Sequence, residues 1–333
     1  MVELVSRPEL GDMHVTRPLT RGVLGERWLV VHAGTQATSV LHALQPFQGL
    51  EAVGGGGAGE GGGGGGGVIQ TGVLGMAGSS VVEALAAEGD GFLAPFPASE
   101  APAHRLVGAI EPALVLAAIE RVRGLKHAHM LEIEQAWVDE HGRVCMLTPF
   151  TGDQDGLVPL DVLLRRRSGF LTLDEAKRAM DHLLSAVCAG HEQGLSHGEV
   201  SMREVMVDRR GSLLIEHYGL AREIIGPTAL SGGAPAIMSS AEEFARAKAA
   251  EVRSVLMIGY QLATGLRFEP PVIPVSRVEL DADKTWDDLF ETGLGTVGFT
   301  SAPHALSAVR GCVTSKANQG KKGFTLRSLL AIG

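Results

Sequence analysis

The sequence predicts an α+β chain of two lobes, a small β-rich one with a single helix and a larger helical one. Three observations predict it. From His14 to Leu44 the apolar residues come in short runs broken by glycine and charge, which is the pattern of strands. Later in the chain the spacing becomes helical, in long stretches that open at Thr172 and near Ala241. Between those stretches, Val205–Val207 and Leu213–Ile215 flank a turn at Asp208, Arg209, Arg210 and Gly211, a small hairpin in helical surroundings.

Composition sets the bounds. The chain has 333 residues, 45% hydrophobic and 20% charged, enough for one two-lobed domain or two small ones. A net charge of −9 argues against a general nucleic-acid partner. Cys145, Cys188 and Cys312 are far apart with no CxxC pair, so neither a disulfide framework nor a zinc site is expected. The opening MVELVSRPELGD has no apolar core of signal-peptide length, and no run approaches the ~18 apolar residues a membrane helix needs. The expectation is a cytoplasmic protein with protein partners, no membrane partner and no nucleic-acid partner. Its oligomeric state is left open.

Taken in order, residues 1–12 read as a tail. HVTRPLTRGVLGERWLVVHAG, from His14, reads as strand, loop and strand, and TSVLHALQPF as a third strand. Val53–Val68 holds twelve glycines within positions 54–67; polyglycine loses much entropy on ordering and buries nothing, so about 48–104 reads as a flexible insertion. HRLVGAIEPALVLAAIERV (104–122) has apolar residues at Leu106, Ile110, Leu114 and Ala117, a helical spacing, with Gly124 as its stop. RVCMLTPF (143–150) is a buried strand ending at Pro149. A capping box at Thr172 and Glu175 opens a long helix through Gly190, and a second long helix runs from about 241 to 263. The small lobe is therefore expected over 13–150, the large lobe over 151–311 and a basic tail over 312–333.

HGEVSMRE (197–204), the hairpin and HYGLAR (217–222) resemble the catalytic loop, hairpin and metal loop of the protein kinases, written H-R-D-L-K-P-E-N and D-F-G-L-A-R. The Thr20–Gly25 loop is similar to that family's glycine loop, keeping Gly22 and Gly25. EVRSVLMIGYQLATG resembles the helix that braces the catalytic loop, with Glu251 at the bracing aspartate. The resemblance implies a two-lobed protein kinase-like fold of the bacterial serine/threonine type. It also implies where the chemistry has changed. His42 stands for the phosphate-holding lysine and Ala118 for the helix glutamate that pairs with it; Glu120 lies two positions on, about 200° round the helix. Glu199 stands for the catalytic aspartate, Ser201 for the lysine after it, Glu204 for the metal-binding asparagine and His217 for the metal-binding aspartate. Arg27 and Val40 stand where adenine would pack. His197, Gly219 and Glu251 keep structural places.

Phosphoryl transfer needs metal ions on the phosphates, a lysine beside them and a carboxylate orienting the attacking hydroxyl. Magnesium prefers oxygen ligands, so an imidazole at residue 217 is a poor substitute. Neighbours on a strand point to opposite faces, so Glu216 is not expected to take over from His217. The expectation is a pseudokinase that acts as a scaffold or regulator in signalling. No metal and no cofactor are expected, with at most weak ATP binding. Two alternatives stand beside it. One is an unorthodox nucleotide-dependent enzyme using Glu199 as base and Glu204 or Glu216 for metal. The other is an active serine/threonine kinase of the family type.

Overall fold

The computed structural model describes residues 4–7, 11–19, 22, 24–44, 111–150, 158–166, 171–225 and 240–314. The chain divides into one unit of Met1–Leu50 with Leu106–Gly333 and a second of Glu51–Arg105. The second unit, and with it the expected insertion at 48–104, lies outside the described residues. The first unit is an α+β fold of two lobes, as the sequence predicts.

Six antiparallel strands form the small lobe. They are β1 (Leu4–Arg7), β2 (Gly11–Pro18), β3 (Gly25–His32), β4 (Thr38–Leu44), β5 (Gln135–Val138) and β6 (Val144–Pro149), in the order β1-β2-β3-β4-β6-β5. The expected tail at 1–12 holds an edge strand: Leu4–Arg7 pairs with Gly11–His14. Its run is too short to announce itself by alternation, and the edge of β2 supplies the partner that such a strand needs. The period of two sorts the side chains. Met13, Val15, Val30, Leu41, Ala43, Cys145 and Leu147 close one face, with Trp28 and Trp137 against them. On the other face, Leu44, Val144 and Met146 pack against Val115, Ala118, Ile119 and Val122. Those four lie on helix α1 (Pro112–Arg123), which has proline in its first turn and Arg121 and Arg123 in its last, where they complement the helix dipole.

The large lobe holds helices α2 (Leu160–Arg166), α3 (Leu173–Glu192), α4 (Leu220–Ile225), α5 (Ser240–Thr264), α6 (Val275–Val278), α7 (Lys284–Leu294) and α8 (Ala302–Gly311). A sheet of β7 (Val158–Pro159), β8 (Val205–Val207) and β9 (Leu213–Ile215) lies with them. The capping box forms in part: Thr172 Oγ1 accepts the Glu175 amide at 3.3 Å, opening α3. Helix α3 is the lobe's axis, its Ala179, Met180, Leu183, Ala186 and Val187 buried in the core that α5, α7 and α8 complete. The packed chain runs past the expected boundary at 311. Cys312 is buried, and the Trp286 indole donates to the Val313 carbonyl at 3.0 Å. No described helix is long and apolar enough to cross a membrane.

Helix α3 approaches the interlobe segment through one glycine. A Cβ on Gly190 would stand 2.4 Å from the Tyr218 ring and hydroxyl. Tyr218 is buried, so the ring has no room to withdraw. Gly190→Ala is therefore expected to lower stability by about 1–3 kcal/mol through overpacking, outweighing alanine's better helix propensity. A melting curve checks this, and a melting temperature equal to or above the parent's would mean that Tyr218 is loosely held.

Candidate functional site

The site lies where the sheet face bearing His42 meets the end of β9. In the β3–β4 pairing Arg27 stands opposite His42, and in the β4–β6 pairing Val40 stands opposite Thr148. Because residues two apart share a face, Arg27, Val40, His42 and Thr148 line one side of the sheet. All four are buried. His42 Nε2 lies 2.8 Å from Thr148 Oγ1, and His42 Nδ1 lies 3.1 Å from His217 Nε2. The two imidazoles meet edge to face, with centroids 4.5 Å apart.

Glu216 and His217 follow directly on β9. Strand alternation ends there, because His217 adopts φ 50°, in the left-handed region. Both side chains therefore converge on the same point, where the strand rule had put them on opposite faces. Glu216 Oε1 lies 3.9 Å from His42 Nδ1 and 3.8 Å from His217 Nε2. His42, Glu216 and His217 thus form a buried group whose donor atoms are arranged to hold a metal ion. The expectation of no metal and no cofactor is overturned by this cluster. Strand alternation, which would put Glu216 and His217 on opposite faces, hides this three-residue grouping in the sequence.

Arg27 completes the interior. Its Nη1 donates to Glu216 Oε1 at 2.9 Å and lies 3.4 Å from Met206 Sδ. The guanidinium thus sits in the interior between Glu216 and Met206. Gly22 covers it: a Cβ there would meet Glu216 Oε2 at 3.4 Å and Arg27 Cδ at 3.5 Å. Gly25 opens β3 as the loop closes, with the Gly22 amide donating to the Gly25 carbonyl at 2.9 Å. The cavity lined by Leu24, His197, Glu204, Glu216, His217 and Ala221 has a volume of about 10 Å³, room for roughly one water.

Burial governs the charge states. It pushes the Glu216 carboxyl up to about 7, with Arg27 pulling it back down. It pulls His217 down to about 3, helped by the positive Arg27. His42 is lowered well below its ordinary value by burial, then by His217 and Arg27. Both imidazoles are therefore neutral near pH 7, the form that can ligate a cation.

The remaining site residues fall around this group. Glu204 Oε2 accepts the Ser201 amide at 3.0 Å and the Ser201 hydroxyl at 2.6 Å, and its Oε1 lies 3.4 Å from His197 Nε2. Glu204 is thus engaged within its own loop, outside the donor group. Glu199 is exposed. Gly198, at the family's arginine position, has φ 94°, a conformation that an arginine would adopt only with strain. Gly219 has φ 72° and turns the chain into α4. That helix is not among the elements the sequence predicts. Leu220 buries itself among Val115, Ala118 and Ile119, and Arg121 pairs with Glu223. Ala118 therefore faces α4 as an apolar contact. Residues 226–239 lie outside the described residues.

Below the loop, Glu251 is fully buried on α5. Its Oε2 accepts the His197 amide at 3.0 Å and lies 3.0 Å from His191 Nε2. The Tyr218 hydroxyl is pushed up by burial and by the Glu251 carboxylate. His197 stacks edge-on against Tyr218. His191, Thr148 and Met206 are contributors that sequence reasoning missed, since none belongs to a family motif.

Comparison with known proteins agrees with the fold. The crystal structure of the Mycobacterium tuberculosis PknI kinase domain superposes with a TM-score of 0.53 over 90% of this chain and 95% of that one, at 16% identity. A single mutant of the same domain gives 0.52 and 17% over 90% of this chain and 94% of the other. The CBL-interacting protein kinase 4 of Oryza sativa subsp. japonica is 29% identical over 107 residues, 32% of this chain and 23% of that protein's length. No family model matches. The fold is protein-kinase-like.

Proposed function

We propose that the chain is an atypical kinase-like phosphotransferase of the serine/threonine type, whose metal is held by His42, Glu216 and His217. The single observation that carries the reading is the donor group itself, which sits where the family resemblance places the phosphate-holding lysine and the metal-binding aspartate. Likeness in fold to kinase domains supports the class of chemistry. In this reading Glu199, exposed at the loop, orients the attacking hydroxyl, as a carboxylate does in kinases. Glu204 is not assigned to the metal, because its oxygens serve Ser201 and His197. The magnesium that kinases use with ATP does not fit this donor set, since two of the three atoms are imidazole nitrogens.

A second reading is favoured by Arg27. With its guanidinium on Glu216 and Met206, the nucleotide place is filled, and the chain would act on protein partners as a signalling scaffold. The test is transfer of labelled phosphate from ATP to a generic protein substrate and to the chain itself, with magnesium, manganese or zinc, beside a thermal-shift titration of ATP. Ligand at a hundred times its dissociation constant should stabilise by about 2.7 kcal/mol. Transfer abolished by Glu199→Gln supports the transferase. No transfer and no shift with millimolar ATP under any metal would overturn it and leave the scaffold.

A further inference from the structure

We propose that His42 Nδ1, His217 Nε2 and Glu216 Oε1 form a three-donor site for a divalent ion of the zinc class, selective against magnesium, which Arg27 must vacate to admit the ion. This rests on the reading of the interlobe centre as a metal centre. It adds which ion the centre takes and what competes with it.

The triangle has edges of 3.1, 3.8 and 3.9 Å. Donors on a tetrahedral ion with bonds of about 2.0–2.2 Å lie about 3.3–3.6 Å apart. The observed edges straddle that range, so shifts of a few tenths of an ångström complete the site. Two imidazole nitrogens and one carboxylate oxygen suit zinc, cobalt or iron, whereas magnesium demands six oxygens in a strict octahedron. Two features aim the donors. Thr148 holds His42 through Nε2, which turns Nδ1 inward, the usual arrangement of an oriented metal-binding histidine. The left-handed backbone at His217 brings its ring beside Glu216. Glu216 Oε2 and His217 Nδ1, both buried, have no hydrogen-bond partner in the protein. The three donor atoms themselves are engaged without an ion, His42 Nδ1 with His217 Nε2 and Glu216 Oε1 with Arg27, so an ion would replace those two contacts.

One contact stands in the way. The oxygen that faces both imidazoles also accepts from Arg27 at 2.9 Å. A divalent ion and a guanidinium would then contend for one buried carboxylate, and like charges this close repel strongly in a dry interior. Ion entry therefore requires Arg27 to swing off Glu216, which also clears its contact with Met206. The proton count stays balanced. The 3.1 Å contact between His42 Nδ1 and His217 Nε2 holds one proton between them, so ion entry also shifts the donating ring's proton to its outer nitrogen. His42 then carries its single proton on Nε2 toward Thr148 and His217 on Nδ1, leaving both inward lone pairs for the ion.

The test is titration of the chelator-treated full-length chain with zinc, cobalt and magnesium. The expected result is one zinc per chain, bound at least about 100-fold tighter than magnesium. Cobalt should give the strong visible bands of a four-coordinate site. His217→Ala and His42→Ala should weaken zinc beyond the roughly 100-fold upper end for losing an outer partner, and Thr148→Val by roughly 10–100-fold. Arg27→Met should tighten it. If the histidine variants do not fold, zinc-edge X-ray absorption on the unaltered chain still counts imidazoles, and two are expected. Magnesium binding as tightly as zinc would overturn the ion class while leaving the metal-centre reading standing. Zinc that ignores both histidine variants, or absorption showing no imidazole, would overturn the site. No ion bound at all would overturn both.

Discussion

Glu251→Ala is expected to lower stability by about 3 kcal/mol, a fall in melting temperature of roughly 6–12 °C. The carboxylate is fully buried, and one oxygen holds both the His197 amide and His191. Hydrogen bonds to a charged group contribute about 1.5–3 kcal/mol each, and removing the acceptor leaves a buried amide unpaired. The damage should spread to the loop that carries Glu199 and Glu204, because His197 is where that loop is tied to α5. Glu242→Ala on the same helix serves as the control. Glu242 is exposed in the helix's first turn, and its loss should change stability by less than about 0.5 kcal/mol. Equal, small effects from both would mean that the α5 carboxylate does not brace the loop. Hydrogen exchange at the His197 amide adds a local readout, with protection expected to fall in Glu251→Ala.

Much of this architecture was legible in the sequence, for physical reasons that differ by element. The capping box at Thr172 and the apolar period of α3 announce a helix because the side chains themselves satisfy its end and its face. The β8–β9 hairpin reads from its turn residues. Glu251 could be singled out because its spacing from the Thr264–Gly265 helix end matched a family pattern. The convergence of Glu216 and His217 could not be read in the same way. Alternation is a property of extended backbone, and a single residue at φ 50° cancels it. Nor could the reach of Arg27 be read. Its partner Glu216 lies 189 residues further along the chain, and only the folded sheet brings the two within 2.9 Å. Helix α4 was missed because six residues are too few to show a period; its stability comes from Leu220 packing on α1.

Breaking the Arg27–Glu216 pair one residue at a time should be far more damaging than removing both. Both side chains are almost wholly buried, at 4% and 1% exposure. Arg27→Met leaves a carboxylate in the interior without its cation, and Glu216→Leu leaves an unmatched guanidinium. Each is expected to cost about 3–5 kcal/mol. The double variant places two apolar side chains in contact and should cost much less than the sum, giving a coupling energy of about 2–3 kcal/mol. The pH dependence of Arg27→Met supplies an independent check. Burial already raises the Glu216 carboxyl to about 7, and loss of the cation that pulls it down raises it further. A carboxyl whose folded value lies above its unfolded one binds its proton more tightly in the folded chain. Its stability contribution is therefore fully present below the unfolded value near 4.5, and is lost as pH rises toward the folded value, at about 1.4 kcal/mol per pH unit for one group. Arg27→Met should then be clearly less destabilised, relative to the parent, at pH 5 than at pH 8. An equal penalty at both pH values, or a double variant whose loss is the sum of the singles, would mean that Glu216 does not depend on Arg27 for its charge. The seal over the interlobe centre would then have to be sought in packing rather than in the ion pair.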